Sequence, residues 1–212
     1  MSQIVIAGGI GVGKSSTLKL LALHMNTVHR DGRAWRTHSA SAIFRKMAQE
    51  RYPKLDADGA ATLFAKHTKK HPEMDVDGLI DRELVRVGQE ENHVIVECRL
   101  ACFFPEAFRV RLFADDELVV QRVAKERGMS VDSAREKVGS RNADDLARYK
   151  SLYPWISDFR DQFQNPSQGW HLEINTGTRS HIEVVSQIYE HWLSWQSYSP
   201  GASSSSGSAV PA

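Results

Sequence analysis

Short apolar runs alternate along this chain with longer segments whose apolar residues recur at helical spacing. Five runs have the length and composition of strands: Gln3–Ala7, Ala34–His38, His93–Glu97, Arg109–Ala114 and Trp170–Asn175. Five segments between and after them predict helices: Ser16–Leu23, Ala40–Gln49, Gly78–Glu90, Asp116–Arg127 and His181–Trp195. Strands that alternate with helices indicate an α/β fold, with a parallel sheet covered by helices on both faces.

Three segments break this alternation. Residues Arg51–Asp77 are polar and interrupted by prolines and Gly59, which predicts short helices in a surface lobe outside the core. The charged stretch Met129–Lys150 has the composition of a helical flap. Residues 196–212 are rich in Ser, Gly, Ala and Pro and are expected to be a disordered tail, which leaves one domain over residues 1–195.

The first predicted strand runs directly into the pattern G-x-x-x-x-G-K-S, and a helix follows it. Glycines let successive backbone N–H groups point at a phosphate chain, and the helix N-terminus adds partial positive charge. A glycine-rich turn without a ligand is the alternative, and the strand before and helix after make it the weaker one. We therefore expect ATP phosphates to bind the loop residues Gly8, Gly9, Ile10, Gly11, Val12, Gly13, Lys14, Ser15 and Ser16. In this pattern Lys14 reaches the β- and γ-phosphates, and the Ser15 hydroxyl is a Mg²⁺ ligand.

The composition argues against several classes of binding partner. Lys and Arg number 27 against 26 Asp and Glu, so no overall field favours nucleic acid or an anionic membrane. No apolar run is long enough to span a bilayer, and only two residues precede the first strand, so we expect no targeting segment. Cys98 and Cys102 lack a second ligand pair for zinc, and the nine histidines show no metal-binding spacing. These features predict a cytosolic protein with reduced thiols.

Charged residues follow the predicted strands, where ligands bind in open α/β sheets. Glu97 ends the third strand and is placed to hold Mg²⁺, while Arg99 and Arg45 are placed to meet an anion. Solvated surface arginines are the alternative for each. Arg141 and Arg148 lie two helical turns apart on one face, where a lid over a transferring phosphoryl group would need cations. A solvated, salt-bridged helix that also includes Arg135 is the alternative there.

Several further motifs occur in order along the chain: Ser39–Arg45, Asp77–Asp81, Val96–Ala101, Arg148–Tyr153 and Ile174–Thr176. Together with the loop they resemble the short cytidylate kinases of archaeal type, within the nucleoside monophosphate kinases. The resemblance extends from Ile4 to about Trp195. It implies a three-layer P-loop NTPase fold with a lobe for the monophosphate, about residues 39–90, and a helical lid, about residues 128–153.

The resemblance also implies site residues. Arg45 and Arg99 would hold the acceptor phosphate beside Ser39, and Arg141 and Arg148 would be lid arginines that act with Lys14 on the transferring group. Arg127 would stack on the adenine of ATP. Asp77 and Asp81 share a helical face and could accept hydrogen bonds from an exocyclic amino group; helix capping and solvation are the alternative.

Three departures from the family pattern affect the acceptor side. Ser41-Ala42 replaces Gly-Glu, Cys98 replaces a glycine, and Asn142 replaces a glutamate. The expected activity is ATP- and Mg²⁺-dependent phosphorylation of a nucleoside monophosphate, CMP or dCMP first, by a monomer that binds neither nucleic acid nor membranes. Two alternatives stay open: a P-loop kinase of another small acceptor, and an ATP-binding regulator without transferase activity.

Overall fold

Five parallel strands form one sheet in the computed structural model, which describes residues 2–29, 34–164 and 169–198. The strands are β1 Gln3–Ala7, β2 Arg36–Ser39, β3 Val94–Cys98, β4 Phe108–Phe113 and β5 Leu172–Asn175. Their order in the sheet is β2-β3-β1-β4-β5. The predicted α/β class is therefore confirmed. The bounds of β1 are the predicted ones, and each of the other strands differs from its prediction by one or two residues at an end.

Helices connect the strands. They are α1 Lys14–Val28, α2 Ala40–Arg51, α3 Ala57–Lys70, α4 Val76–Glu90, α5 Asp116–Arg127, α6 Val131–Leu152 and α7 His181–Tyr198. Single 3₁₀ turns occupy Pro72–Met74 and Ala101–Phe103. In the described ranges no helix is long and apolar enough to cross a bilayer.

The central strand β1 sends side chains into two separate cores, as strand geometry requires. Ile4 and Ile6 join one apolar cluster with side chains of α1, α5 and α7. Val5 and Ala7 join a second cluster with side chains of α2, α3 and α4. Helices thus cover both faces, which gives three layers. β1 lies between β3 and β4. The chain leaves β1 toward β2 at one edge and leaves β3 toward β4 on the other side, so a crevice opens at the carboxyl ends of β1 and β3.

The expectation for residues 51–77 was wrong in two respects, the length of the helix and its exposure. Most of the segment is one helix of 14 residues, α3, and the only short helical piece is the 3₁₀ turn Pro72–Met74. Asp56 caps it by accepting a hydrogen bond of 2.7 Å from the Gly59 backbone N–H, so Gly59 lies in the first turn and does not end a helix. Phe64 is buried 5.1 Å from the Phe44 ring, so α3 contributes to the core.

The charged stretch before β5 is one continuous helix of 22 residues, α6. Ala134 and Val138 in its first half are buried in the core cluster that also holds α5 side chains. Tyr149 in its second half is buried in a much smaller cluster with Leu100 and Ile156. At the other end of the domain α7 continues to Tyr198, past the expected start of the tail at residue 196, and residues 199–212 lie outside the described part. The lobe and lid boundaries stay predictions.

Candidate functional site

The loop between β1 and α1 has three glycines with a positive φ, a conformation that favours glycine, and two of them shape the phosphate site. Gly8 has a φ of 151°, and a Cβ there would lie 2.3 Å from the Leu112 carbonyl oxygen of β4. Gly13 has a φ of 90° and precedes α1, and no side chain caps the first turn of that helix. The N–H groups of this turn are therefore left for a ligand, and they favour an anion.

Thr176, directly after β5, fixes the back of the loop. Its hydroxyl donates to the Val12 carbonyl oxygen at 3.0 Å, and its backbone N–H donates to Phe113 at 2.8 Å. Arg122 of α5 donates to the Thr176 hydroxyl and carbonyl oxygens at 3.0 and 2.8 Å. Beside these groups lies a cavity of about 80 Å³, which Gly13, Thr17 and His181 also line.

Lys14 is the first residue of α1, and its side chain folds back into the loop. Its Nζ donates to the Gly9 carbonyl oxygen at 2.6 Å and lies 3.9 Å from Oε1 of Glu97. Burial lowers the pKa of Lys14 to about 8, and the Glu97 carboxylate only partly opposes this effect. An anion in the loop would favour the charged lysine, so the ammonium is placed to bind one.

Ser15 and Glu97 form an oxygen pair next to the lysine. The Ser15 hydroxyl donates to Oε2 of Glu97 at 3.0 Å. Hydroxyl and carboxylate oxygens are hard ligands, of the kind that Mg²⁺ takes together with water and substrate phosphates. The described residues contain no group of three or more His, Cys, Asp and Glu side chains that could hold a metal ion. The pair therefore fits an ion that keeps most of its ligands from water and nucleotide.

Arginines from the core and from α6 meet at the carboxyl end of β3. Arg99 follows β3, and its Nη2 lies 2.6 Å from Oδ2 of Asp145 on α6. The same oxygen lies 3.3 Å from Nε of Arg141, one turn earlier on α6. We call Arg99, Arg141 and Arg148 the arginine cluster. Burial lowers the pKa of Arg99, and Asp145 counteracts it.

Asn142 joins the arginine cluster to the loop. Its Oδ1 accepts a hydrogen bond of 3.4 Å from Nη1 of Arg99. The same oxygen would lie 3.8 Å from a Cβ placed on Gly9. Helix α6 therefore crosses directly above the loop, and an amide rather than a carboxylate faces both the arginine and the loop.

Arg148, the third arginine of α6, points toward α4. Its Nη1 and Nη2 each lie 3.1 Å from Oδ2 of Asp81, and its Nε lies 3.9 Å from Asp77. The guanidinium also covers the Tyr149 ring at 4.2 Å. The predicted common face of Asp77 and Asp81 thus turns toward a cation of α6.

A small hollow of about 10 Å³ adjoins Asp81 and has apolar walls that include Leu84, Cys98 and Phe104. It is far smaller than a nucleobase, so a base could enter only if the surrounding side chains moved. Cys98 is buried, which raises the pKa of its thiol strongly, and Sγ donates to the Leu100 carbonyl oxygen at 3.3 Å. The thiol is therefore held neutral and unreactive.

Three predicted or considered residues, Arg45, Arg127 and Arg135, stay apart from these groups, and a fourth, Ser39, adjoins them through the sheet. Arg45 is exposed on α2 and has no hydrogen bond or ion pair to a described residue. Arg127 is exposed at the end of α5 and does not line the 80 Å³ cavity. Ser39 caps α2 by accepting from the Ala42 backbone N–H at 3.1 Å, and it lies beside Glu97 in the sheet. Arg135 pairs with Glu117 of α5 at 2.8 Å, away from the cluster.

Sequence reasoning assigned no role to three residues that shape this site: Asp145, Thr176 and Gln162. Gln162 is completely buried, and its Oε1 accepts from the backbone N–H groups of Ala101 and Cys102. Its Nε2 donates to the Arg99 carbonyl oxygen at 3.3 Å, so it fixes the segment that carries the arginine. Gln162 lies in an irregular region without a motif, whereas Asp145 lay within the charged stretch, where its polarity suggested solvation.

A parallel sheet with this loop at the carboxyl end of its central strand defines a P-loop nucleotide-binding protein. Residues 4–150 match the family model described as AAA domain. The chain is 31% identical to a cytidylate kinase of Methanopyrus kandleri over 72% of this chain and 77% of that one. It is 32% identical to a cytidylate kinase of Pyrococcus abyssi over 71% and 75% of the two chains.

The chain belongs to the AAA domain family and to the family of these cytidylate kinases. A solved structure supports the fold alone: shikimate kinase from Acinetobacter baumannii in complex with shikimate superposes with a TM-score of 0.53 and 15% identity. That alignment covers 92% of this chain and 95% of the other. The resemblance predicted from the motifs is confirmed at the level of the family.

Proposed function

We propose that this protein transfers the γ-phosphoryl group of ATP to a nucleoside monophosphate, with CMP or dCMP as the first candidates. The observation that carries the proposal is the position of Asn142, which contacts Arg99 and lies against Gly9. A loop for a phosphate chain and an arginine for a second phosphate are thereby adjacent. A regulator that only binds ATP has no need of the second group.

On the donor side, the loop glycines and the N–H groups of α1 would hold the phosphate chain, and Lys14 would neutralise the β- and γ-phosphates. Ser15 and Glu97 fit Mg²⁺, which when bound supplies positive charge to the phosphates. The donor nucleoside would lie toward the cavity beside Gly13 and Thr176. Arg127 stays a proposal for the adenine, with Arg122 closer to the cavity.

On the acceptor side, Arg99 would bind the monophosphate, joined by Arg45 from α2. No general base is required, since a phosphate monoester oxygen is ionised near neutral pH and is itself the nucleophile. Arg141 and Arg148 would neutralise the equatorial oxygens as the bond to the β-phosphate oxygen breaks. Catalysis then consists of positioning and charge neutralisation.

Base recognition is proposed for Asp81, with Asp77 beside it and Ser39 at the phosphate end of the acceptor. Nη1 and Nη2 of Arg148 both contact Oδ2 of Asp81, which leaves Oδ1 without a bond to a described residue. A carboxylate oxygen accepts from the amino group of cytosine but not from the carbonyl oxygen of uracil at the same position. This supports CMP over UMP.

A steady-state ADP-release assay with Mg-ATP and separate additions of CMP, dCMP, UMP, AMP and GMP tests the function. Stimulation by CMP or dCMP is the expected result, and omission of Mg²⁺ should abolish it. Stimulation by none of the five, but by a sugar acid or another small metabolite, would replace the proposal with a different P-loop kinase. ATP binding without any acceptor-stimulated ADP release would identify a regulator.

Two further expectations concern the molecule as a whole. We propose a monomer, which size-exclusion chromatography with light scattering tests directly. We also propose a cytosolic location, which cell fractionation with an antibody against the chain would test.

A further inference from the structure

Asp145 is the carboxylate at the centre of the arginine cluster. It is 6% exposed, on the inner face of α6, and one of its oxygens lies between two guanidinium groups. Arg99 comes from the core and Arg141 from α6, so this oxygen connects two parts of the chain that are far apart in sequence. No other described acidic side chain pairs with Arg99.

The ion pair between Asp145 and Arg99 is short, but its geometry is not that of a hydrogen bond. Oδ2 of Asp145 is 2.6 Å from Nη2 of Arg99, yet it accepts no hydrogen bond of good geometry from a described residue. A buried carboxylate is expensive unless both charge and hydrogen bonds are satisfied. Asp145 therefore balances the charge of the two arginines, while its Oδ2 accepts no hydrogen bond from a described residue.

A phosphate group is a better partner for the same cations. It carries up to two negative charges and three acceptor oxygens, and guanidinium groups bind such oxygens in pairs. Without Asp145, Arg99 and Arg141 would repel each other in a partly dry site. With Asp145 the two cations stay together in the empty site, but an arriving phosphate must compete with its carboxylate for them.

We propose that Asp145 is a positioning residue that holds Arg99 and Arg141 together in the empty site and is displaced from them by a phosphate group. The inference rests on the proposed function for its biological meaning, since the phosphate would be that of the acceptor. Its physical content, that Asp145 and phosphate compete for the same arginines, does not depend on turnover.

Asp145→Asn tests the competition, and Asp144→Asn is the matched control, because Asp144 is the exposed neighbour on the same helix. The titrant is sodium phosphate at constant ionic strength, with thermal unfolding as the readout. All variants also carry Lys14→Met, which weakens phosphate binding by the loop equally in each of them. Asp145→Asn should unfold at a lower temperature without phosphate and bind phosphate more tightly, on the order of fivefold, as expected when one competing ion pair is removed.

Asp144→Asn should behave as the parent does, and Asp145→Glu, which keeps the charge, should restore the parent affinity. Equal or weaker phosphate binding by Asp145→Asn would overturn the proposal, since Asp145 would then ignore or assist the anion. If Asp145→Asn fails to fold, the side-chain NMR signal of Nε–H in Arg141 gives the answer in the unmodified chain. That signal should shift as phosphate is added, and an unchanged signal would count against displacement.

The two proposals can fail separately. A gain in phosphate affinity without any acceptor-stimulated ADP release would retain the competition and reject the kinase. Acceptor-stimulated ADP release without a gain in phosphate affinity would retain the kinase and reject the competition. In an active enzyme, Asp145→Asn should lower the KM for the acceptor and lower kcat, because the arginines are less confined, whereas a merely destabilising change would leave KM unmoved.

Discussion

The phosphate loop and the arginine cluster lie next to each other but are built differently. Backbone shape defines the loop, and the largest apolar cluster of the described residues supports it through Ile4, Ile6 and Val12. The arginine cluster consists of long side chains from two elements that carboxylates hold together. Beneath it lies a cluster of only three buried residues, Leu100, Tyr149 and Ile156.

The phosphate loop is therefore built to be rigid, whereas the arginine cluster is built to rearrange. A loop that must present N–H groups to a phosphate chain is best fixed in advance, and the core provides that. A group of cations that must close over a second substrate has to change partners. Ion pairs at the margin of a small apolar cluster can exchange more easily than packed side chains. Changes to the two regions should therefore have different effects.

The largest effect is expected from Lys14→Met. Loss of the ammonium removes charge neutralisation at the transferring phosphoryl group, and kcat should fall by about 10²–10³-fold. The fold should persist, since the methionine retains most of the apolar stem. Lys19→Met, at an exposed position of the same helix, is the control for ADP release and circular dichroism. A near-normal rate in Lys14→Met would remove the basis of the transferase proposal.

A smaller effect, confined to the acceptor, is expected from Arg99→Ala. Loss of a charge-assisted hydrogen bond to the acceptor phosphate should lower kcat/KM for the acceptor by about 10- to 100-fold. The affinity for ATP should change little, because the loop is built without Arg99. Arg135→Ala removes an arginine whose one ion pair with a described residue is to Glu117, and it should leave both parameters unchanged. An equal loss of ATP affinity in Arg99→Ala would show that the two regions are not separable.

Gly8→Ala should damage the loop through stability rather than charge. The new Cβ would lie 2.3 Å from the Leu112 carbonyl oxygen, so the loop and β4 must separate, at a cost of about 2–3 kcal/mol. Gly139→Ala is the contrast, because a Cβ in the middle of α6 meets nothing within 4 Å. That change should stabilise by about 0.5–1 kcal/mol. Urea unfolding midpoints measure both, and a harmless Gly8→Ala would contradict the strained loop.

The smallest effect concerns pH. Burial lowers the pKa of Lys14 from 10.5 to about 8 in the folded protein, so between these values the unfolded chain binds a proton that the folded chain lacks. Stability contributed by this group therefore rises with pH over that window. Nucleotide binding needs the charged lysine, so ATP affinity should fall by up to about tenfold per pH unit above pH 8.

Calorimetric titrations at pH 7, 8 and 9 would detect this decline. Lys14→Arg keeps its charge throughout the range and should show a flat profile. A decline of the same slope in Lys14→Arg would assign the pH dependence to another group.

Local pattern was enough to predict the strand, loop and helix around Lys14, because each element depends on neighbours in sequence. The same holds for the shared face of Asp77 and Asp81, which follows from helical spacing. The partners of those residues could not be predicted, since Arg148 meets Asp81 across 67 positions. Gln162 likewise supports Arg99 through a contact 63 positions away, and no periodicity signals a single buried amide.

The misjudged α3 shows a second limit. Gly59 and the preceding Pro53 suggested interruption, but the glycine N–H serves the Asp56 cap at the start of the helix. Propensity alone does not say whether such a residue ends one element or begins another. Burial of Phe64 against Phe44 decides it, and that contact exists only in the folded protein.

The central place of β1 determines when a growing polypeptide can acquire its nucleotide site. Ile4 pairs with Ile95 on one side and with Phe108 on the other, so β1 has no neighbour in the sheet until β3 and β4 have been made. The segment between Ala7 and Val94 must leave the ribosome before β1 has any neighbour in the sheet. During that interval its apolar side chains are exposed to chaperones and to other nascent chains. A fragment that stops before residue 94 should therefore neither bind ATP nor stay monomeric, although it contains the whole loop.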